Sequence, residues 1–159
     1  MLWEGAEYRG RGRQVIWDGE ARLTGNRIER AAAVNFLNPE RVLEANGDGR
    51  LRWSSVTTGN MAGMDLWLDV PGTGELAIAT KPVTATLKLA EIGPEDTAIE
   101  AGGLGRRLRA FRLPEDNPHR ALSFDLDIAP EPGRDSPFYV RVTQEDGHQA
   151  WSSPIYLIP

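Results

Sequence analysis

The chain has 159 residues, of which 40% are hydrophobic and 26% charged, and its formal net charge is -5. This composition is enough for one ordinary core, and it is unlike that of a disordered chain. The absence of cysteine excludes disulfides and thiolate chemistry, and the acidic balance argues against nucleic acid as a partner. No run approaches the roughly 20 apolar residues that cross a bilayer, so no membrane partner is expected.

Apolar and polar residues alternate with a period of two along most of the chain, as in strands that bury one face. Turn-forming clusters interrupt the alternation at 46–49, 71–74, 130–133 and 146–147. The pattern predicts an all-β fold with little or no helix: a two-sheet antiparallel β-sandwich, immunoglobulin-like or jelly-roll-like. The predicted strands lie near residues 13–17, 26–36, 41–45, 50–57, 63–70, 75–80, 83–91, 105–113, 121–129, 137–144 and 149–158.

We interpret residues 1–159 as a single sandwich domain, and as a fragment or C-terminal domain of a longer protein. Segment 94–101 begins with proline and acids, which is equally typical of a short helix and of a loop leading into a strand. The clearest alternation occurs at 83–89 and 122–128. It predicts that the following side chains point inwards: Val83, Leu87, Leu89, Leu122, Phe124, Leu126 and Ile128.

Catalytic motifs are missing from the sequence. His119 and His148 belong to no metal-binding spacing, and the chain contains neither Gly-x-Ser-x-Gly nor a phosphate-binding P-loop. We therefore expect a chain that is not an enzyme, and we assign no catalytic, metal-binding or cofactor-binding residue.

One candidate ligand surface lies in segment 64–70. Alternation places Trp67 between Asp65 and Asp69, on the face opposite to an apolar one. The apolar face consists of Met64, Leu66, Leu68 and Val70. A partly exposed tryptophan beside carboxylates resembles a sugar-stacking platform, and it is equally suited to anchoring another domain. The alternative is that a loop or a long neighbouring side chain covers the ring.

A second candidate surface is the arginine-rich segment 106–112. On a strand, Arg107 and Arg109 share one face, while Arg106 and Arg112 share the other. Cross-strand pairing with acidic residues is the favoured interpretation. Contact with an anionic partner or an acidic neighbouring domain is the alternative.

The C-terminal residues 138–157 carry a resemblance to a known family. They include a strand in which Val140 and Val142 are predicted to face the core, an Asp146-Gly147 turn, and the run Ala150-Trp151-Ser152-Ser153-Pro154-Ile155, in which Trp151 begins the return strand. This hairpin resembles the end of bacterial proteins related to the PHP (polymerase and histidinol phosphatase) superfamily of metal-dependent phosphoesterases. Weaker similarity extends over Trp17-Asp18-Gly19, 23–28 and Val34-Asn35-Phe36.

The resemblance implies a β-sandwich that follows a catalytic domain rich in His-x-His motifs, and no position here matches those metal ligands. It therefore suggests a non-catalytic C-terminal accessory domain that serves stability, domain packing or assembly. The expected partner is the catalytic domain of the parent protein, with homo-oligomer formation left open. A carbohydrate-binding module that uses Trp67 is the alternative function.

Overall fold

The computed structural model describes residues 1–7, 13–114, 121–129, 132–144 and 149–158. Contacts divide the chain into two compact units, Met1–Pro114 and Glu115–Pro159. In the described residues, the helical content is one 3₁₀ turn at Leu89–Glu91, and the paired strands are all antiparallel. The predicted all-β class is confirmed, and the interpretation of 1–159 as one domain stays a prediction.

The first unit contains two five-stranded sheets and a small two-stranded one. The first sheet has the order β11-β12-β1-β8-β4, with β1 at Leu2–Glu4, β4 at Ile28–Val34, β8 at Met61–Leu68, β11 at Thr97–Gly102 and β12 at Arg106–Ala110. The second has the order β10-β9-β3-β6-β5, with β3 at Gly19–Thr24, β5 at Leu43–Asn46, β6 at Arg50–Trp53, β9 at Glu75–Thr80 and β10 at Thr84–Lys88. The small sheet pairs β2 (Val15–Ile16) with β7 (Val56–Thr57).

The core of the first unit collects inward side chains from both five-stranded sheets, which makes the unit sandwich-like. Strand β3 illustrates the rule, because Ala21 and Leu23 are buried while Glu20 and Arg22 face water. The predicted inward positions Leu87, Val83 and Leu89 are confirmed: Leu87 belongs to the core, and the other two pack against it.

Three buried tryptophans occupy the centre of this core. The rings of Trp3 and Trp53 stack with their centroids 5.4 Å apart, and Trp17 lies 6.5 Å from Trp3. Phe36 adds a fourth ring, 6.2 Å from Trp3. Aromatic contacts at these separations contribute about 0.5–1.5 kcal/mol per pair beyond the burial of area.

Each indole N–H of this tryptophan cluster has an acceptor. Trp3 Nε1 donates to Ser55 Oγ at 3.0 Å, and Trp17 Nε1 donates to Thr57 Oγ1 at 2.9 Å. Trp53 Nε1 donates to the Trp17 carbonyl at 2.6 Å. Ser55 and Thr57 are the buried polar residues of the first unit as described. Their hydroxyls and the Trp17 carbonyl together allow three indoles to be buried without leaving a donor unsatisfied.

The second unit contains a long hairpin in two parts. Its strands are β13 (Ser136–Phe138), β14 (Arg141–Thr143), β15 (Gln149–Trp151) and β16 (Ile155–Leu157), and β13 pairs with β16 while β14 pairs with β15. Between the two parts, residues 139–140 lie opposite 152–154, so the return strand carries one extra residue, as at a β-bulge. Pro154 lies in this bulge, which agrees with the expectation that proline requires an edge or a bulge.

Several predictions of strand and core position are wrong. Residues 121–129 form no strand, and Leu122, Phe124, Leu126 and Ile128 are 43–81% exposed rather than buried. Val140 and Val142, predicted to face the core, are exposed as well. Alternation identifies the side chains that share a face, but it does not indicate whether another layer covers that face. The Asp146-Gly147 turn, His119 and His148 lie outside the described residues.

Other differences concern missed elements. Strands β1 and β3 were not predicted, because three residues are too few to show alternation and Gly19 weakens the strand pattern of β3. Segment 94–101 is not helical, and most of it enters the edge strand β11. Predicted strand 50–57 is divided into β6 and β7, which belong to different sheets.

We predict that Ser55→Ala lowers the free energy of unfolding by about 1–3 kcal/mol, because it leaves the buried Trp3 N–H without an acceptor. Urea unfolding monitored by tryptophan fluorescence measures the change. Ser123→Ala is the matched control, since Ser123 is exposed. Equal stability of the two variants would contradict this role for the Ser55 hydroxyl.

Candidate interaction surfaces

Trp67 lies on the outer face of β8 and is 42% exposed, as the alternation predicted. Strand β4 places Arg30 directly opposite Trp67, and the guanidinium carbon lies 4.2 Å from the ring centroid. This is a cation-π contact, and it covers one face of the indole. A sugar that stacks on that face must first displace Arg30.

The two aspartates beside Trp67 have different surroundings. Asp69 Oδ2 lies 3.6 Å from Arg27 Nη2, and the same guanidinium nitrogen lies 3.7 Å from Glu29 Oε1. Asp65 is half-buried, and its carboxylate acts electrostatically on the α-amino group of Met1. The carboxylates thus interact with groups of the first unit itself. Sequence reasoning missed Arg30, because its position opposite Trp67 follows from the β4-β8 register.

Arg107 and Arg109 belong to an ion-pair ladder that joins β12 to Glu4 on β1 and to Asp96, the residue before β11. Arg107 donates a hydrogen bond to Glu4, its register partner on β1. Arg109 Nε donates to Asp96 Oδ2 at 2.8 Å, and its Nη1 lies 3.9 Å from Glu4 Oε2. The hydrogen bond to Glu4 raises the pKa of Arg107 above its ordinary value. The prediction of cross-strand pairing is confirmed for these two arginines.

The outer face of the second sheet forms an open groove of about 570 Å³. Ala77 and Ala79 lie along it, beside the longer side chains of β3 and β6. Arg22 and Arg50 are register partners, and Arg50 Nε lies 3.3 Å from Asp48 Oδ2. Acidic and basic side chains are interspersed along the groove, so its electrostatic potential is neither mainly positive nor mainly negative.

Met1 places its α-amino group in a buried position beside β8. The nitrogen donates to the Met64 carbonyl at 2.9 Å, and the Met64 N–H donates to the Met1 carbonyl at 2.8 Å. At Gly63, a Cβ atom would collide with this same Met1 carbonyl. Burial lowers the pKa of the amino group from 8.0 to about 6; Asp65 and Asp96 oppose the shift, while Arg109 adds to it.

The C-terminal hairpin exposes apolar side chains on both faces. Arg141 pairs with Trp151 on one face, whereas Val142 pairs with Ala150 on the other. The exposed apolar residues, each 40–76% accessible, are Tyr139, Val140, Val142, Trp151, Ile155, Tyr156, Leu157 and Ile158. Sequence reasoning assigned two of these, Val140 and Val142, to a core and so missed this surface.

Within the described ranges, no group of three or more His, Cys, Asp or Glu residues is arranged to hold a metal ion. The same residues include no helix that is long and apolar enough to span a membrane. Comparisons with protein-family models, curated proteins and solved structures found no match.

With Met1 as the first residue, we predict that the free energy of unfolding rises between pH 6 and pH 8, by about 2–3 kcal/mol in total. In this range the unfolded chain binds a proton at its amino group that the folded chain does not bind, so raising the pH favours folding. Urea unfolding across this range measures the slope.

The control is the same chain with an acetylated amino group. It keeps the N–H that donates to Met64 but cannot gain a proton, and it retains both histidines of the sequence. We expect the free energy of unfolding of the acetylated chain to rise less steeply with pH. An equal rise in both chains would contradict the assignment of the pH dependence to the Met1 amino group.

Proposed function

We propose that this chain is a non-catalytic accessory domain that assembles copies of a larger, metal-dependent phosphoesterase. The observation that carries the proposal is the apolar surface of the C-terminal hairpin, where eight large side chains are exposed. The resemblance of this hairpin to PHP-related proteins is the reason for naming a phosphoesterase as the parent protein.

The energetics of a two-stranded hairpin support an assembly role. An isolated hairpin is at best marginally stable in water, because independent stability requires more strands or another layer packed against an apolar face. Trp151 and Tyr156 are large aromatic residues with a polar atom, a type enriched at protein interfaces. Eight exposed apolar side chains on one hairpin are typical of an element that is covered by protein.

The surfaces of the first unit support a non-catalytic role. Arg107 and Arg109 are paired with Glu4 and Asp96, and Trp67 is in contact with Arg30. These side chains stabilise the sandwich through cross-strand contacts. In this proposal, catalysis belongs to a separate metal-binding domain of the parent protein.

The first test reads the genomic sequence upstream of Met1 and measures the chemistry of the purified chain. We expect an upstream domain rich in His-x-His motifs, and no hydrolysis of generic phosphate esters by this chain with divalent metals added. An upstream sequence without such a domain, or metal-dependent hydrolysis by the chain alone, would overturn the proposal.

The rival carbohydrate-binding function is tested by titrating oligosaccharides while tryptophan fluorescence is measured. Because Arg30 covers one face of Trp67, we expect no saturable change in the wild-type chain. Trp67→Phe and Trp151→Phe form a matched pair, since both rings are exposed. A saturable signal that is lost in Trp67→Phe and kept in Trp151→Phe would favour the sugar platform instead.

A further inference from the structure

We propose that the groove on the outer face of the second sheet binds a sugar acid, with the carboxylate of the ligand held between Arg22 and Arg50. The inference goes beyond the proposed assembly role and does not depend on it, because the groove belongs to the first unit and the hairpin to the second.

The register of the second sheet arranges the side chains of the groove in two cross-strand rows. From β10 to β5, the first row consists of Thr86, Ala77, Arg22, Arg50 and Asn46. The second row lies two residues further along each strand and consists of Thr84, Ala79, Glu20, Arg52 and Glu44. Both rows therefore begin with a threonine and an alanine, and they differ in the charges that follow.

The second row compensates its own charges. Arg52 has Glu20 as its register partner on one side and Glu44 on the other. Arg52 Nε lies 3.7 Å from Glu20 Oε2. Because opposite charges on neighbouring strands stabilise their pairing, the sheet itself explains this row.

The first row instead places two positive charges opposite each other. Arg22 and Arg50 are register partners, and like charges in directly opposite positions destabilise a sheet. Arg50 Nε lies 3.3 Å from Asp48 Oδ2, whereas Arg22 forms no ion pair with a described residue. The two arginines and Asp48 together carry one positive charge. An anion bound between the guanidinium groups would compensate that charge and remove the repulsion.

Arg22 differs in this respect from the other outward arginines of the two five-stranded sheets. Each of the others has an acidic or aromatic partner within the first unit: Arg30, Arg50, Arg52, Arg107 and Arg109. The sheet gains no stability from an exposed cation that has no such partner and lies opposite another cation. A partner from outside the chain accounts for its presence.

The balance of charge favours a carboxylate over a phosphate group. A carboxylate has one negative charge, which matches the single positive charge of the first row. A phosphate monoester carries about -1.5 to -2 at pH 7, and its excess charge would lie near Asp48 and the acidic groups of the second row. The planar guanidinium also binds a carboxylate through two parallel hydrogen bonds.

The remaining groups of the groove suit a ligand that carries hydroxyl groups. The side chains of Asn46, Thr84 and Thr86 form no hydrogen bond within the described part of the chain, and all three line the groove. Amide and hydroxyl side chains both donate and accept hydrogen bonds, as sugar hydroxyls do. Ala77 lies between Thr86 and Arg22 in the register, so its short side chain leaves space there for a ring. A carboxylate on a hydroxylated ring is a sugar acid.

Isothermal titration calorimetry of the full chain with galacturonate tests the proposal, and galactose is the matched neutral sugar. We expect saturable binding of galacturonate that weakens as salt is added, and no binding of galactose. Calorimetry is preferred to fluorescence because no tryptophan lines the groove.

Substitution of Arg22 tests the location of the site. We expect Arg22→Gln to weaken galacturonate binding at least about tenfold, since it removes a charge-assisted hydrogen bond. Arg22→Lys keeps the charge but loses the paired geometry, so its affinity should be intermediate. Arg27→Gln is the matched control, because Arg27 is 65% exposed and lies outside the groove. We expect this control to bind like the wild type.

The stability of the ligand-free chain distinguishes a binding role of Arg22 from a structural one. Because Arg22→Gln removes a repulsion between opposite strands, we expect its urea midpoint to equal or exceed that of the wild type. We also expect galacturonate to raise the midpoint of the wild type but not that of Arg22→Gln. A lower midpoint for ligand-free Arg22→Gln would show that Arg22 stabilises the sheet, and would overturn the argument from repulsion.

Two further ligands identify the source and the chemistry of the anion. Tighter binding of trigalacturonate than of galacturonate identifies a polysaccharide as the source of the carboxylate, and equal binding identifies the free sugar acid; both results support the proposal. Tighter binding of inorganic phosphate than of galacturonate overturns the choice of a carboxylate.

The remaining outcomes decide whether the site exists. Absence of saturable binding for both galacturonate and glucuronate overturns the proposal, as does equal binding of galactose. Binding that survives Arg22→Gln and is lost in Trp67→Phe overturns the groove as the site. None of these results affects the accessory role, which is tested by the upstream sequence and by phosphate ester hydrolysis.

Discussion

The hydrogen-bonded tryptophan cluster is the constraint on which the first unit depends. Trp3, Trp17 and Trp53 come from separate segments of the chain, and each brings a polar N–H into the buried core. Ser55 lies between β6 and β7, and Thr57 lies in β7, so the chain leaves the second sheet after β6 and brings both hydroxyls to the indoles. Because an unsatisfied buried donor is costly, the position of one ring restricts those of the others.

Strand β1 links the tryptophan cluster to the surface of the first unit. It has three residues, yet it lies between β12 and β8 in the middle of the first sheet. Trp3 points into the cluster, while Glu4 points outwards to Arg107. The ring packing that positions Trp3 therefore also positions Glu4 in the ion-pair ladder. Glu4 and Arg109 are mostly buried, so their charges are less screened than those of an open surface pair.

The sequence predicted correctly those features that depend only on the alternation of apolar and polar residues within one segment. Alternation predicted strands at 75–80 and 83–91, where β9 and β10 lie, and it gave the correct inward residues in 83–89. It also placed Trp67 outside. It did not predict contacts or burial that depend on a partner residue far away in the sequence. The Arg30-Trp67 contact requires the register of β4 and β8. The buried indoles of Trp3 and Trp17 require the hydroxyls of Ser55 and Thr57. Exposure of 121–129 has the same cause, because burial depends on a second layer.

Proline determines which part of the hairpin is available for pairing. Pro137 lies in β13, and Pro154 lies in the bulge that interrupts the return strand. Neither has an N–H to donate, and a bulge increases local twist, so both features protect sheet edges from indiscriminate association. Strands β14 and β15 contain no proline and keep a regular ladder from Arg141 to Thr143. The hairpin thus combines a protected half, β13 with β16, and a half with a regular ladder, β14 with β15, where Arg141 lies.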